Sequence, residues 1–104
     1  MANLVNRMRP IHPGEVLREE FLLPMGLSAN ALAIALQVPA PRVNDVVREK
    51  RGVSADTALR LARYFGTSAE FWMGLQADYD LKKSARALKA DLKRIHPNKD
   101  LQTA

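Results

Sequence analysis

The sequence predicts an all-α fold on three observations. Apolar residues recur at three- and four-residue spacing, breakers separate the segments that carry them, and no strand-like alternation of any length is present. Five helices are expected, the fifth extended, within a single domain over residues 1–104, because a chain of 104 residues supplies one core. The composition, 47% hydrophobic and 26% charged, is that of an ordinary soluble globule.

The first helix starts at His12-Pro13-Gly14-Glu15, where Pro13 occupies a position that needs no N–H and Glu15 favours the positive end of the helix dipole. Val16, Leu17 and Phe21 form its apolar stripe, and Pro24 with Gly26 ends it. Ser28 is the expected N-cap of a second helix through Leu36, with Leu32, Ala33 and Leu36 turned inward. After the turn Gln37-Val38-Pro39, a third helix runs from about Ala40 to Glu49 with Val43, Val46 and Val47 on one face, and Lys50-Arg51-Gly52 breaks it. Ser54 caps a fourth helix that stops at Gly66. Thr67-Ser68-Ala69-Glu70 fits a capping box, the threonine capping and the glutamate reaching back. The fifth helix is expected over about 68–96, with Pro97 the first strong stop. Phe71, Trp72 and Leu75 pack its start, and Leu81, Ala85, Leu88, Leu92 and Ile95 form a heptad-like seam.

Charge and cysteine content narrow the function classes. No cysteine is present, which excludes a disulfide framework, a thiolate zinc site, an iron–sulfur cluster and a cysteine nucleophile. His12 and His96 lack metal-ligand spacing, so no metal and no cofactor is expected. No phosphate-binding glycine loop and no nucleophile elbow occurs, and Glu19-Glu20 and Asp78/Asp80 have no histidine or nucleophile beside them. No enzyme reading survives. No apolar run reaches the roughly 18–20 residues that span a bilayer, and nothing resembles a signal peptide, so the cytoplasm is the expected compartment. The net charge of +5 is unevenly spread: residues 1–80 hold nine basic and nine acidic side chains, and residues 81–104 hold seven and two. The whole excess lies in the tail.

Helices two and three, over about 28–49, carry the functional signal. A helix-turn-helix needs two short helices at a steep angle, a small residue where they meet, and a polar face on the second helix. Ala33 supplies the small residue, and Val38, Val43 and Val46 or Val47 wedge the second helix onto the body. Ala40, Pro41, Arg42, Asn44, Asp45 and Arg48 remain for the major groove, and Arg and Asn are suited to bidentate contacts with guanine and adenine. Ser28 and Asn30 open the second helix, where a phosphate can be held, and Lys50 and Arg51 follow the third within reach of a DNA backbone. Spacing alone fits an αα-hairpin in a generic bundle equally well.

The stretch from Ser28 to Gly66 resembles the lambda-repressor-like helix-turn-helix family. More narrowly, HPGEVLREEFLLPMGLS (12–28), the Ala31-Leu32-Ala33 and Leu36 positions, and SADTALRLARYFGTSAEFWMGLQADYDL (54–81) are similar to the HigA-type antitoxins of bacterial toxin–antitoxin modules, and the likeness covers roughly residues 9–96. The resemblance implies a homodimer that reads a palindromic double-stranded DNA operator in its own promoter and neutralises an mRNA-cleaving ribonuclease toxin. Two departures stand out. Gln37 sits where relatives of the wider fold often place glycine, at a position that can demand positive φ. Pro41 replaces a polar reader, so that base contacts lean on Arg42, Asn44 and Asp45 or specificity is reduced.

The two-fold interface is expected at the 81–95 seam or around Phe71, Trp72 and Leu75, with Leu81, Leu88 and Leu92 as its apolar contacts. The alternative is that the long helix folds back on its own domain. Two other functions fit the same residues: a stand-alone regulator with no toxin, and an interaction module whose helix-turn-helix is vestigial.

Overall fold

The computed structural model describes residues 9–101. Helix α1 spans Pro13–Met25. His12 opens it, its Nδ1 accepting from the Gly14 N–H at 2.8 Å. Its middle, Leu17–Leu22, widens into π-helical turns, so that the Leu23 N–H reaches the Arg18 carbonyl. The widening comes just ahead of Pro24, whose ring would press on the carbonyl four residues back in a regular helix. Pro24 therefore lies inside α1 rather than ending it. Gly26, at φ 61°, ends it with paired bonds from Gly26 N to Leu23 O and from Leu27 N to Leu22 O.

Ser28 caps α2 (Ala29–Leu36), accepting from the Ala31 N–H at 3.0 Å. Gln37 then takes φ 60°, and Val38 N bonds back to Ala33 O. This is the left-handed turn expected at that position. Helix α3 (Ala40–Val47) is capped by Pro39 and is shorter than expected. It ends two residues before the Lys50-Arg51-Gly52 breaker, because Glu49 adopts φ 64° and Lys50 N returns to Asp45 O at 2.8 Å. Ser54 caps α4 (Ala55–Phe65), which closes at Gly66 with φ 76°.

Helix α5 (Ala69–Ala87) begins one residue later than the capping box predicts. Ser68 is the cap, accepting from the Phe71 N–H at 3.0 Å, while the Thr67 hydroxyl accepts the Trp72 indole N–H at 2.8 Å. The buried indole needs a partner and takes the threonine for it. The long helix is also interrupted: Leu88, at φ −96° and ψ 5°, separates α5 from a short α6 (Lys89–Lys93).

The core joins all five main helices through Leu17, Leu32, Ala33, Leu36, Val43, Val46, Ala58, Leu61 and Trp72. Ala33, 1% exposed, is the small residue of the α2–α3 corner. Val53, between α3 and α4, is buried and its N–H donates to Gln76 Oε1 at 2.7 Å, which ties that loop to α5. From Lys83 to Asp100 every residue is exposed. The end of α5 and α6 therefore extend from the bundle, giving dimensions of 53 × 27 × 23 Å. They do not fold back on it. Among the described residues no single helix is long and apolar enough to cross a membrane.

Candidate nucleic-acid interface

Helix α3 has one face in the core and one face outward. Val43 and Val46 are 2% and 1% exposed, and Val47 packs beside them. The other face carries Pro41, Arg42, Asn44, Asp45 and Arg48, running on into Lys50 and Arg51. Ala40 departs from the expectation. It is half-buried and packed against the core, because α3 leans on α2 through its first turn.

The polar residues of this face are held by their neighbours. The Asn44 side-chain N–H donates to Asn30 Oδ1 on α2 at 2.9 Å and to the Ala40 carbonyl at 3.0 Å. Arg42 Nη1 donates to Asp56 Oδ1 on α4 at 2.6 Å. The same oxygen accepts from Arg60 Nε at 2.7 Å, and Arg60 Nη1 reaches the Leu36 carbonyl at 2.8 Å. That carbonyl belongs to the end of α2, so one chain of bonds links α3, α4 and the turn of the helix-turn-helix. The Arg60 hydrogen bond, and behind it Arg42, holds the Asp56 carboxyl below the usual carboxylate range. Asp45 pairs with Arg51 at 3.6 Å. Arg48 and Lys50 are exposed and form no ion pair with a described residue. Ser28 is exposed, with its oxygen engaged as the α2 cap.

Helix α1 fixes the far end of α3. A Cβ on Gly14 would lie 1.8 Å from the Val46 carbonyl oxygen, so the two backbones touch there. Arg18 Nη1 donates to the Val47 carbonyl at 2.6 Å, satisfying one of the open carbonyls at the end of α3. His12 is buried and its ring meets Tyr79 edge-on at 4.8 Å. Burial lowers its pKa, against a smaller opposing pull from Glu49 and Asp80. Gly14, Arg18, Asp56 and Arg60 were not among the residues predicted for the site. The four-residue spacing of Asp56 and Arg60 was the one local signal that could have pointed to them.

The expected interface residues separate into two groups. Trp72 is fully buried in its own protomer, packed near Phe21 and Phe65, and has no surface left to offer a partner. Leu75 packs against the same core, and Phe71 is 41% exposed. Leu81, Leu88 and Leu92 are 70%, 44% and 49% exposed on the projecting segment.

Comparison with known proteins places this geometry. Residues 17–72 match the helix-turn-helix family, which takes in α2, α3, α4 and the flanking core residues. Antitoxin HigA-1 of Vibrio cholerae is 35% identical over 92 residues, 88% of this chain and 86% of that protein. The chain belongs to the HigA family of helix-turn-helix antitoxins. Virulence-associated protein I of Dichelobacter nodosus is 64% identical over 77 residues, 74% of this chain and 71% of that protein. Antitoxin HigA of Pseudomonas aeruginosa, solved with the higBA promoter, superposes with a TM-score of 0.84 at 57% identity, covering 86% of this chain and 98% of that one.

Proposed function

We propose that this HigA-family chain is a DNA-binding antitoxin that represses its own operon and neutralises an mRNA-cleaving toxin. The observation that carries the DNA half is the two-sided α3: one face is locked into the core and the other presents Arg42, Asn44 and Arg48. Arg42 and Asn44 read base edges, and Asn30, Arg48, Lys50 and Arg51 hold the phosphates on either side. Ser28 can add a hydroxyl to that phosphate set. Pro41 fixes the first turn of α3 and offers an apolar surface rather than a reader. The solved Pseudomonas relative with its promoter supports operator binding, and the family supports the toxin partner.

One α3 reads only a few base pairs, so a homodimer on a palindrome supplies the discrimination, with half-sites about 34–36 Å apart. The exposed Leu81, Leu88 and Leu92 are the surface for that pairing. The role is regulatory and non-catalytic, and it belongs in the cytoplasm, where operator and messenger are found. The basic side chains of the projecting segment add a sequence-independent attraction for DNA.

Fluorescence anisotropy on the fragment upstream of the gene, against a scrambled fragment at two salt concentrations, tests the reading. The native fragment is expected to bind about a thousandfold more tightly or better. Arg42→Ala and Asn44→Ala are each expected to lose about 1–3 kcal/mol on it. Equal binding to both fragments, fading steeply with salt, would leave the tail alone responsible and refute operator reading.

A further inference from the structure

Asp56 is a negatively charged residue in a surprising place. It lies in the first turn of α4, more than half exposed, and within one hydrogen bond of a side chain on the reading face of α3. A surface that approaches phosphates gains affinity by losing such a charge. The fold does not require the carboxylate for capping, because Ser54 already accepts from the Thr57 N–H. Its partners show what it does. It grips Arg42 by Nη1 alone, and the Arg42 side chain makes no other hydrogen bond with a described residue, so Nε and Nη2 are left uncommitted among them on a part-exposed side chain. Arg60 anchors the carboxylate in turn, through Nε to Asp56 and through Nη1 to the Leu36 carbonyl at the end of α2.

Building on the operator-reading function, we infer that Asp56, anchored by Arg60, is a specificity-determining positioning residue that aims Arg42 at one base of the operator. Bidentate recognition of guanine requires the guanidinium plane to be set before contact, and a free arginine settles on any phosphate within reach. A carboxylate that holds one corner of the fork opposes those sequence-independent contacts and leaves the correct base edge as the better alternative. This is discrimination by disfavouring the wrong partner, at the cost of some affinity for DNA in general.

The test measures full-length protein on its operator and on a scrambled duplex, over a series of salt concentrations. The variants are Asp56→Asn, Arg60→Gln and Asp56→Glu, with Arg42→Ala in the wild-type and Asp56→Asn backgrounds. Asp56→Asn is expected to bind scrambled DNA several-fold more tightly and to lower the operator-to-scrambled ratio at least tenfold. Its salt slope on scrambled DNA should steepen by about 1, the signature of one added phosphate contact. Arg60→Gln should lower the ratio in the same direction with the Asp56 charge intact, and Asp56→Glu should restore most of it. Arg42→Ala should lose much less on the operator in the Asp56→Asn background than in the wild type. If Asp56→Asn raises both affinities equally, keeps the ratio and leaves the Arg42→Ala effect unchanged, the carboxylate acts only as a charge and the inference is overturned. If the wild type itself does not discriminate, operator reading fails first, and the aiming role falls with it.

Discussion

Replacing Gly14 by alanine adds one methyl where α1 meets α3. The new Cβ would stand 1.8 Å from the Val46 carbonyl oxygen and 2.9 Å from its carbon. Both atoms are backbone, so no side chain can rotate away. To reach 3.0 Å, the shortest separation that such contacts show, the helices must part by about 1.2 Å. That movement draws Arg18 from the Val47 carbonyl, a 2.6 Å bond, and opens a gap beside Val43 and Val46. Forced overpacking costs about 1–3 kcal/mol and a lost hydrogen bond about 1 more, so a loss of about 2–4 kcal/mol is expected. For a domain of this size that lowers Tm by about 10–25 °C. The assay is thermal unfolding followed by circular dichroism, with operator affinity measured well below the transition. Affinity should fall too, because the displaced element is the reading helix. Gly74→Ala is the control: its Cβ meets nothing within 4 Å, and alanine in the interior of α5 should stabilise by about 0.5–1 kcal/mol. A Gly14→Ala melt within 3 °C of wild type, roughly the shift of half a kcal/mol, would refute the close approach.

Three further outcomes follow from particular residues. Gln37 holds φ 60° in the turn before α3, so Gln37→Gly should raise stability by about 0.5–1 kcal/mol in urea titrations, and a destabilised variant would contradict the assignment. Burial depresses the pKa of His12 from its ordinary 6.5, so the unfolded chain binds the proton more tightly than the native one. Stability should therefore be level above about pH 7.5 and decline as pH falls through 6.5 to 5.5, a decline that His12→Asn should remove. A wild-type melt unchanged between those two values would count against it. Leu88→Glu with Leu92→Glu should halve the mass measured by light scattering while leaving the protomer melt intact, since both side chains are about half exposed; an unchanged dimer mass would place the two-fold elsewhere.

The parts of the fold that were legible are those decided within a few residues. Ser28 and Ser54 cap where a short side-chain acceptor can meet an open N–H, and Gly26 and Gly66 close their helices in the left-handed conformation. The outward placement of Arg42, Asn44 and Arg48 followed from helical spacing once the three valines were assigned to the core. The errors arose where a distant contact decided between local equals. Thr67 and Ser68 are both good caps, and the Trp72 indole, fixed by the core, selects between them. Trp72 was open to core or interface on spacing alone, and three-dimensional packing among Phe21, Phe65 and Phe71 settles it. Nothing in the structure explains the break at Leu88. The anchoring of α3 was illegible for the same reason: Gly14 and Val46, or Arg18 and Val47, are brought together by tertiary packing alone.

That anchoring bears directly on how an eight-residue helix can read DNA. A helix of this length is not stable alone, since isolated helices shorter than about 12–15 residues are marginal in water. Its position must come from outside, and α3 is fixed by three other helices. Helix α1 sets its far end through Gly14 and Arg18, α2 bonds Asn44 through Asn30, and α4 holds Arg42 through Asp56. Each anchor also fixes a proposed reader or the backbone beneath one. The orientation of Arg42 and Asn44 is thus set before DNA arrives, and little ordering remains for the moment of binding. On the proposed assignment, readers fixed in this way reject a base that presents its acceptors out of register, whereas Arg48 and Lys50, exposed and without an ion pair to a described residue, would accept any phosphate. The proposal thus puts discrimination and attraction in different side chains, and it predicts that a substitution in the first group changes the operator-to-scrambled ratio while one in the second lowers both affinities together.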